Sequence, residues 1–207
     1  EQSHISSLTY TVNVVQEFNI TFDLQSSTEA VDPGDTATWS FLISNKGNGI
    51  DTISLSPKDI PIQWQSSFDE SNFQLASKPP DPTAKIITFT TIIPSNESSG
   101  QYLFVINLNS LGASSSISLN LTVNAVYQVG ISAIGPTEIE SQAGKAEYFQ
   151  FAVTNLGNTD DEVLITSTGT MISQGTPNNF GWTSQVLGSS ITEDNYLKVT
   201  VPQSNDG

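Results

Sequence analysis

The sequence predicts an all-β fold: two tandem β-sandwiches preceded by one further strand. Three observations carry this. Apolar and polar residues alternate with a period of two along much of the chain, and no segment shows a convincing 3.6-residue period. Clusters of Pro, Gly, Asn and Asp cut these runs into short pieces, as between the strands of a sandwich. The pattern also repeats. Phe41-Leu42-Ile43-Ser44-Asn45-Lys46-Gly47-Asn48-Gly49-Ile50-Asp51-Thr52-Ile53 returns as Phe151-Ala152-Val153-Thr154-Asn155-Leu156-Gly157-Asn158-Thr159-Asp160-Asp161-Glu162-Val163, with Gly157 following Gly47 by 110 positions (157 − 47).

In chain order, Leu8, Tyr10, Val12 and Val14 alternate with polar residues and form the first expected strand. Phe18, Ile20 and Phe22 follow in the same manner. Val31-Asp32-Pro33-Gly34-Asp35 is a turn, Pro fixing φ and Gly permitting a positive one. Trp39, Phe41 and Ile43 give an inward face, and the Asn/Gly stretch after them reads as a tight reversal into Ile53 and Leu55. Trp64, then Phe73 and Leu75, precede a Pro-rich loop at 78–82. A Thr/Ile/Phe strand then runs to Pro94, Ser95-Asn96-Glu97-Ser98-Ser99-Gly100 turns the chain, and two strands at 101–108 and 117–123 bring the count to about seven. Short strands at this spacing fit an immunoglobulin-like sandwich.

From Val126 the pattern restarts. Val129 and Ile131 align with Phe18 and Ile20 at an offset of 111, while Ala143-Gly144-Lys145 and Phe149, Phe151 and Val153 align at 110. Trp182 takes the part of Trp64 after an insertion, and Pro202 that of Pro94. Faces, turns and Trp staying in phase make an internal repeat. The expected organisation is therefore an N-terminal strand at 1–15, a first sandwich at 16–125 and an incomplete second one at 126–207.

The two ends of the repeat do not match. The first copy continues past Pro94 through two strands, whereas the second has five residues after Pro202. Leu8, Tyr10 and Val12 align with Leu119, Leu121 and Val123 at 111, so the N-terminal stretch reads as the closing strand of another sandwich. Soluble proteins avoid long open edges of the kind the second sandwich would have. Two explanations compete: a piece of a longer tandem array, or strand addition in which the first strand of one copy fills the open sandwich of the next.

Composition narrows function. The chain has 207 residues, 13% of them charged against roughly 25% in an ordinary soluble domain. Six basic and 21 acidic residues give a formal net charge of −15, and every basic residue is lysine. Such a surface repels phosphates, which argues against nucleic-acid partners. Cysteine is absent, so disulfides and thiolate metal sites are excluded. No apolar run reaches the roughly 20 residues of a transmembrane helix. The chain opens at Glu1 rather than Met, compatible with a removed secretion signal.

Chemistry has little to work with. His4 is the one histidine, so Ser/His and Cys/His catalysis and imidazole metal clusters lack their parts. No catalytic residue, metal site or cofactor is expected. Asp160-Asp161-Glu162 reads as a solvated turn, with an incidental Ca²⁺ site as the alternative. Three Asn-Xaa-Ser/Thr sequons, at Asn19, Asn96 and Asn120, fall on outward strand phases or a turn tip and are candidate glycosylation sites. Trp39, Trp64 and Trp182 are expected to pack rather than bind sugar; Tyr127, Tyr148 and Phe180 are dispersed along the chain.

Pro33-Gly34-Asp35, the Asn45-Lys46-Gly47-Asn48 turn, Trp64, Ile93-Pro94 and Gly100-Gln101-Tyr102, with counterparts at Gly144, Asn155-Leu156-Gly157-Asn158, Trp182 and Val201-Pro202, resemble the NEW3/CARDB-like immunoglobulin-fold repeats of archaeal and bacterial surface proteins. The resemblance covers nearly the whole chain at the level of fold. With the low charge and the sequons, it implies a subunit of an archaeal S-layer or of a thread-like filament joined by donor strands. Such a role is extracellular, structural and non-enzymatic, with copies of the same chain or other surface-layer proteins as partners and N-glycans on exposed Asn. Leu8, Tyr10, Val12 and Val14 would be the donor residues. The alternative is an accessory spacer or carbohydrate-binding module of a secreted glycan-active enzyme.

Overall fold

A computed structural model describes residues 5–77, 83–168, 171–173, 176–178, 183–188 and 190–203. His4, Phe180, Trp182 and the Pro-rich loop at 78–82 lie outside these residues. All regular structure among the described residues is strand. No helix there is long and apolar enough to cross a membrane. The chain divides into two compact units, Glu1–Asn124 and Ala125–Gly207.

Unit 1 is a sandwich of nine strands: β1 (Ile20–Ser27), β2 (Ala30–Val31), β3 (Thr36–Asn45), β4 (Asp51–Lys58), β5 (Gln65–Phe68), β6 (Asn72–Leu75), β7 (Thr83–Ile92), β8 (Gly100–Asn109) and β9 (Ser114–Val123). One sheet runs β1-β3-β7-β5 and the other β2-β9-β8-β4-β6. Every pairing is antiparallel except β2 with β9. Period-two alternation places Trp39, Phe41 and Phe89 of the first sheet against Phe104, Leu119 and Leu121 of the second, all buried. Trp39 meets Phe104 edge-on at 5.1 Å between ring centroids. Each such side chain contributes roughly 1.5–3 kcal/mol by leaving water.

The stretch at 41–53 is not a hairpin. β3 belongs to one sheet and β4 to the other, so residues 46–50 carry the chain across the sandwich. Buried Asn45 makes the crossing feasible: its Nδ2 donates to the carbonyls of Gly49 and Leu75, both at 2.9 Å, and its Oδ1 accepts the Gly47 N–H. A side-chain amide thus supplies the partners that a hairpin ladder would have given.

Unit 2 contains β10 (Val129–Ile134), β11 (Ala146–Asn155), β12 (Met171–Ser173), β13 (Thr176–Asn178), β14 (Thr183–Leu187) and β15 (Asn195–Thr200). Its four-stranded sheet, β10-β11-β15-β14, repeats the order β1-β3-β7-β5. Phe149 pairs with Leu197 as Trp39 pairs with Phe89. Ile131 pairs with Val153 as Phe22 pairs with Ile43. The first strand is therefore offset by 109 (131 − 22), not the 111 that the sequence pattern suggests. Both values keep the same residues inward, which is why alternation could not separate them. Thr183 and Gln65 share a register place, an offset of 118 (183 − 65) that also separates Trp182 from Trp64.

Among the described residues, unit 2 has no sheet facing β10-β11-β15-β14 in the manner of the second sheet of unit 1; its one other sheet is the two-stranded β12-β13. The offset grows from 110 to 118 before β14, and the β12–β13 hairpin lies in that insertion. It then falls to 108 at β15, a ten-residue deletion that removes the counterpart of β6. Residues 161–168, the counterpart of β4, keep a strand's alternation, with Val163 and Ile165 part-buried and Leu164 and Thr166 exposed. They form no ladder; in unit 1 β4 pairs with β6 and β8, and neither has a counterpart among the described residues of unit 2.

The expected N-terminal strand forms no ladder either. Residues 5–19 are outside every sheet, and Leu8, Tyr10, Val12 and Val14 are between 75% and 84% exposed. Strand sequence supplies a face, whereas a ladder needs a second backbone to accept and donate.

Candidate functional site: an uncovered sheet face

The inner face of the β10-β11-β15-β14 sheet borders a cleft of about 580 Å³. Six of its lining residues are Ile131, Phe149, Phe151, Ile165, Val186 and Leu197. By register and offset these are the counterparts of Phe22, Trp39, Phe41, Leu55, Phe68 and Phe89 in unit 1. All six of the latter pack in the unit 1 core. Trp39 and Phe41 are fully buried there, yet Phe149 and Phe151 are only part-buried. The difference is the cover: Phe104 and Ile106 from β8, and Leu119, Leu121 and Val123 from β9, close the unit 1 face. Among the described residues of unit 2, no strand pairs in the place of β8 or β9. Among the described residues, the cleft is lined by the counterparts of unit 1 core residues without the layer that covers them in unit 1.

The offset of 109 extends to the residues before β10. Lys46 N–H donates to the Asn19 carbonyl at 2.7 Å, and Leu156 N–H donates to that of Gln128 at 2.7 Å. Carried further back, it sets Leu8, Tyr10, Val12 and Val14 against Ile117, Leu119, Leu121 and Val123. All four fall on the inward face of β9, a fuller match than the 111 alignment gives.

Asn19, Asn96 and Asn120 are all exposed. Asn120 lies on the outer face of β9, and Asn96 at the tip of the turn between β7 and β8. That turn is pinned from below. Trp64 Nε1–H donates to Glu97 Oε2 at 2.7 Å, and the Tyr102 hydroxyl lies 2.8 Å from both Glu97 Oε1 and the Ser98 carbonyl. The Trp64 and Tyr102 rings also meet at a tilt, 4.9 Å between centroids, and one carboxylate bonds both, next to exposed Asn96. Burial first, then the hydrogen bond to Glu97 and its negative charge, push the Tyr102 hydroxyl up to about 12. A raised phenol value means that the neutral form belongs to the fold. Its contribution is complete below the ordinary value of about 10 and is lost as pH rises through about 12. An alkaline titration followed by phenolate absorbance is expected to show a step near pH 12 that Tyr102→Phe removes; an unchanged curve would count against the Glu97 contact.

Of the acidic cluster, Asp160 and Glu162 are exposed and Asp161 is part-buried. Among the described residues, no group of three or more His, Cys, Asp or Glu is placed to hold a metal ion. Trp39 and Trp64 are buried packing residues. Tyr127 and Tyr148 are exposed.

No family model and no curated protein sequence matches the chain. Among solved structures, it is similar to a family 123 glycoside hydrolase from Clostridium perfringens (14% identity, 51% of this chain and 27% of that one, TM-score 0.36). It is also similar to domains 4–9 of the surface layer protein SbsC (15% identity, 93% and 28%, TM-score 0.34). A third is the Salmonella enterica SafA pilin in complex with the SafB chaperone (12% identity, 91% and 86%, TM-score 0.37). The chain spans about a quarter of the length of the first two. The all-β sandwich class rests on the sheet order and register described above.

Proposed function

We propose that the chain is a non-enzymatic structural subunit of an extracellular surface assembly, filament or S-layer, in which copies join by strand complementation. The observation that supports this is the pairing of an open core with a matching loose strand. Unit 2 presents the face that β9 covers in unit 1, and residues 8–14 carry the inward residues of a β9 with no sheet around them. In the assembly, Leu8, Tyr10, Val12 and Val14 of one copy enter the unit 2 cleft of the next. The contact is heterologous and head-to-tail, so it propagates. N-glycans on Asn19, Asn96 and Asn120 coat the outside. The large negative charge keeps unjoined copies apart and soluble.

Deleting residues 1–15 tests the reading. The truncated chain is expected to remain a folded monomer when the full chain polymerises, as followed by light scattering and electron microscopy. Undiminished polymer from the deletion would sink the donor-strand role.

A further inference from the structure

The Asn/Gly stretch that crosses between the sheets also holds the segment that leads into β1. Asn48 Oδ1 accepts the Glu17 N–H at 2.7 Å, and its Nδ2 donates to the Val15 carbonyl at 2.9 Å. The Asn48 N–H donates to the Glu17 carbonyl at 3.2 Å, and Gln16 Nε2 donates to the Ile50 carbonyl at 3.0 Å. Asn48 thus meets an extended backbone with a donor and an acceptor, much as a neighbouring strand would.

Glycines floor the track. A Cβ on Gly47 would sit 2.3 Å from the Glu17 carbonyl oxygen, and one on Gly112 would sit 2.2 Å from Phe18 Cβ. The missing side chains are therefore the space that the incoming segment occupies. Unit 2 repeats the device. Asn158 Oδ1 accepts the Val126 N–H at 2.7 Å, and the Asn158 N–H donates to the Val126 carbonyl at 3.1 Å. A Cβ on Gly157 would lie 2.1 Å from that same oxygen. Asn45 and Asn155 keep each turn in shape by accepting the Gly47 and Gly157 N–H groups at 2.9 Å.

We propose that the Asn-Xaa-Gly-Asn turns at 45–48 and 155–158 are backbone-binding latches, whose occupants are the stretches leading into each unit: residues 15–19 in the first and 126–128 in the second. The latch divides the N-terminal stretch in two. Val15 onward is hydrogen-bonded to the turn, and residues 8–14 lie beyond the last of these bonds. This deepens the strand-complementation reading by naming where the exchangeable strand ends, but the latch itself is a property of the single chain.

Amide hydrogen exchange on the full, unpolymerised chain tests it. The Glu17 and Val126 amides are expected to exchange at least about tenfold more slowly than that of Tyr10. Asn48→Ala should remove the Glu17 protection and Asn158→Ala that of Val126, each leaving Phe104 and Leu121 in the core protected. Asn48→Asp keeps an acceptor for Glu17 and should retain its protection. Glu17 and Val126 exchanging as fast as Tyr10 in the unaltered protein would overturn the latch, whether or not the variants fold and whether or not the chain polymerises. Protection surviving both alanine changes would overturn it too.

Discussion

A chain carrying cysteine at both Val14 and Ser141 forms, on oxidation, a ladder of covalent oligomers that reductant collapses to a single band. The protein has no cysteine of its own, so only the two introduced thiols take part. Their choice follows from unit 1. There β2 runs parallel to β9 with Val31 beside Val123, and the Asn124 N–H donates to the Val31 carbonyl at 2.8 Å. The offset of 110 carries Val31 to Ser141, and the offset of 109 carries Val123 back to Val14. The turn that follows keeps its shape between units. Gly34 and Gly144 have φ of +92° and +77°, and the Asp35 and Lys145 N–H groups donate to the carbonyls three residues earlier, both at 3.1 Å. A donor in the β9 place would bring Val14 about 4.8 Å from Ser141 of the next copy, inside the Cα range of about 4.4–6.8 Å that a disulfide spans. Either single variant can yield at most a dimer, so the ladder needs both positions. A donor in the β8 place would lie against residues 161–168 instead and leave the pair apart. A product that stays monomeric under oxidation, while the full chain polymerises, removes the β9 register.

How far these features were legible in the sequence depended on their range. The inward faces were plain, since Trp39, Phe41 and Ile43 alternate and a one-residue slip would turn each of them outward. A slip of two turns nothing outward, so the true offset of β10 waited for the backbone bonds to Asn19 and Gln128. The Asn/Gly stretch announced a change of direction but not the sheet that would take the next strand. That is decided by β4 pairing with β8, about fifty residues on, and local turn chemistry carries no trace of it. The missing cover over the four-stranded sheet of unit 2 was half visible. Counting already showed two strands lacking, and Pro202 against Pro94 already gave 108, but the deleted β6 counterpart emerged only when register placed β14 at an offset of 118. The latch gave least warning. Asn48 and Asn158 stood in the repeat, yet what they bind is main chain, and a backbone N–H looks the same beneath every side chain.

Phe104→Ala should cost unit 1 about 3–5 kcal/mol, a fifth or more of the stability of an ordinary domain of about 5–15 kcal/mol. Phe104 is fully buried, and its ring centroid lies 5.1 Å from Trp39, 6.2 Å from Phe89 and 6.4 Å from Trp64. No single neighbour can move into the space left behind, because β3, β7 and β8 are each held in a ladder. Calorimetry should show the unit 1 transition fall by about 10–20 °C. The Ala152 and Val153 amides, in unit 2, should keep their exchange rates, since Phe104 packs among unit 1 residues. Phe151→Ala gives the converse. Its side chain is part-buried in the single chain, so the loss there should be the smaller one. If a donor strand closes the cleft as proposed, the same ring becomes core, and its removal should cost the polymer more than the monomer. Equal costs in both states would mean that nothing covers Phe151 on assembly, and the join would have to lie elsewhere on the chain.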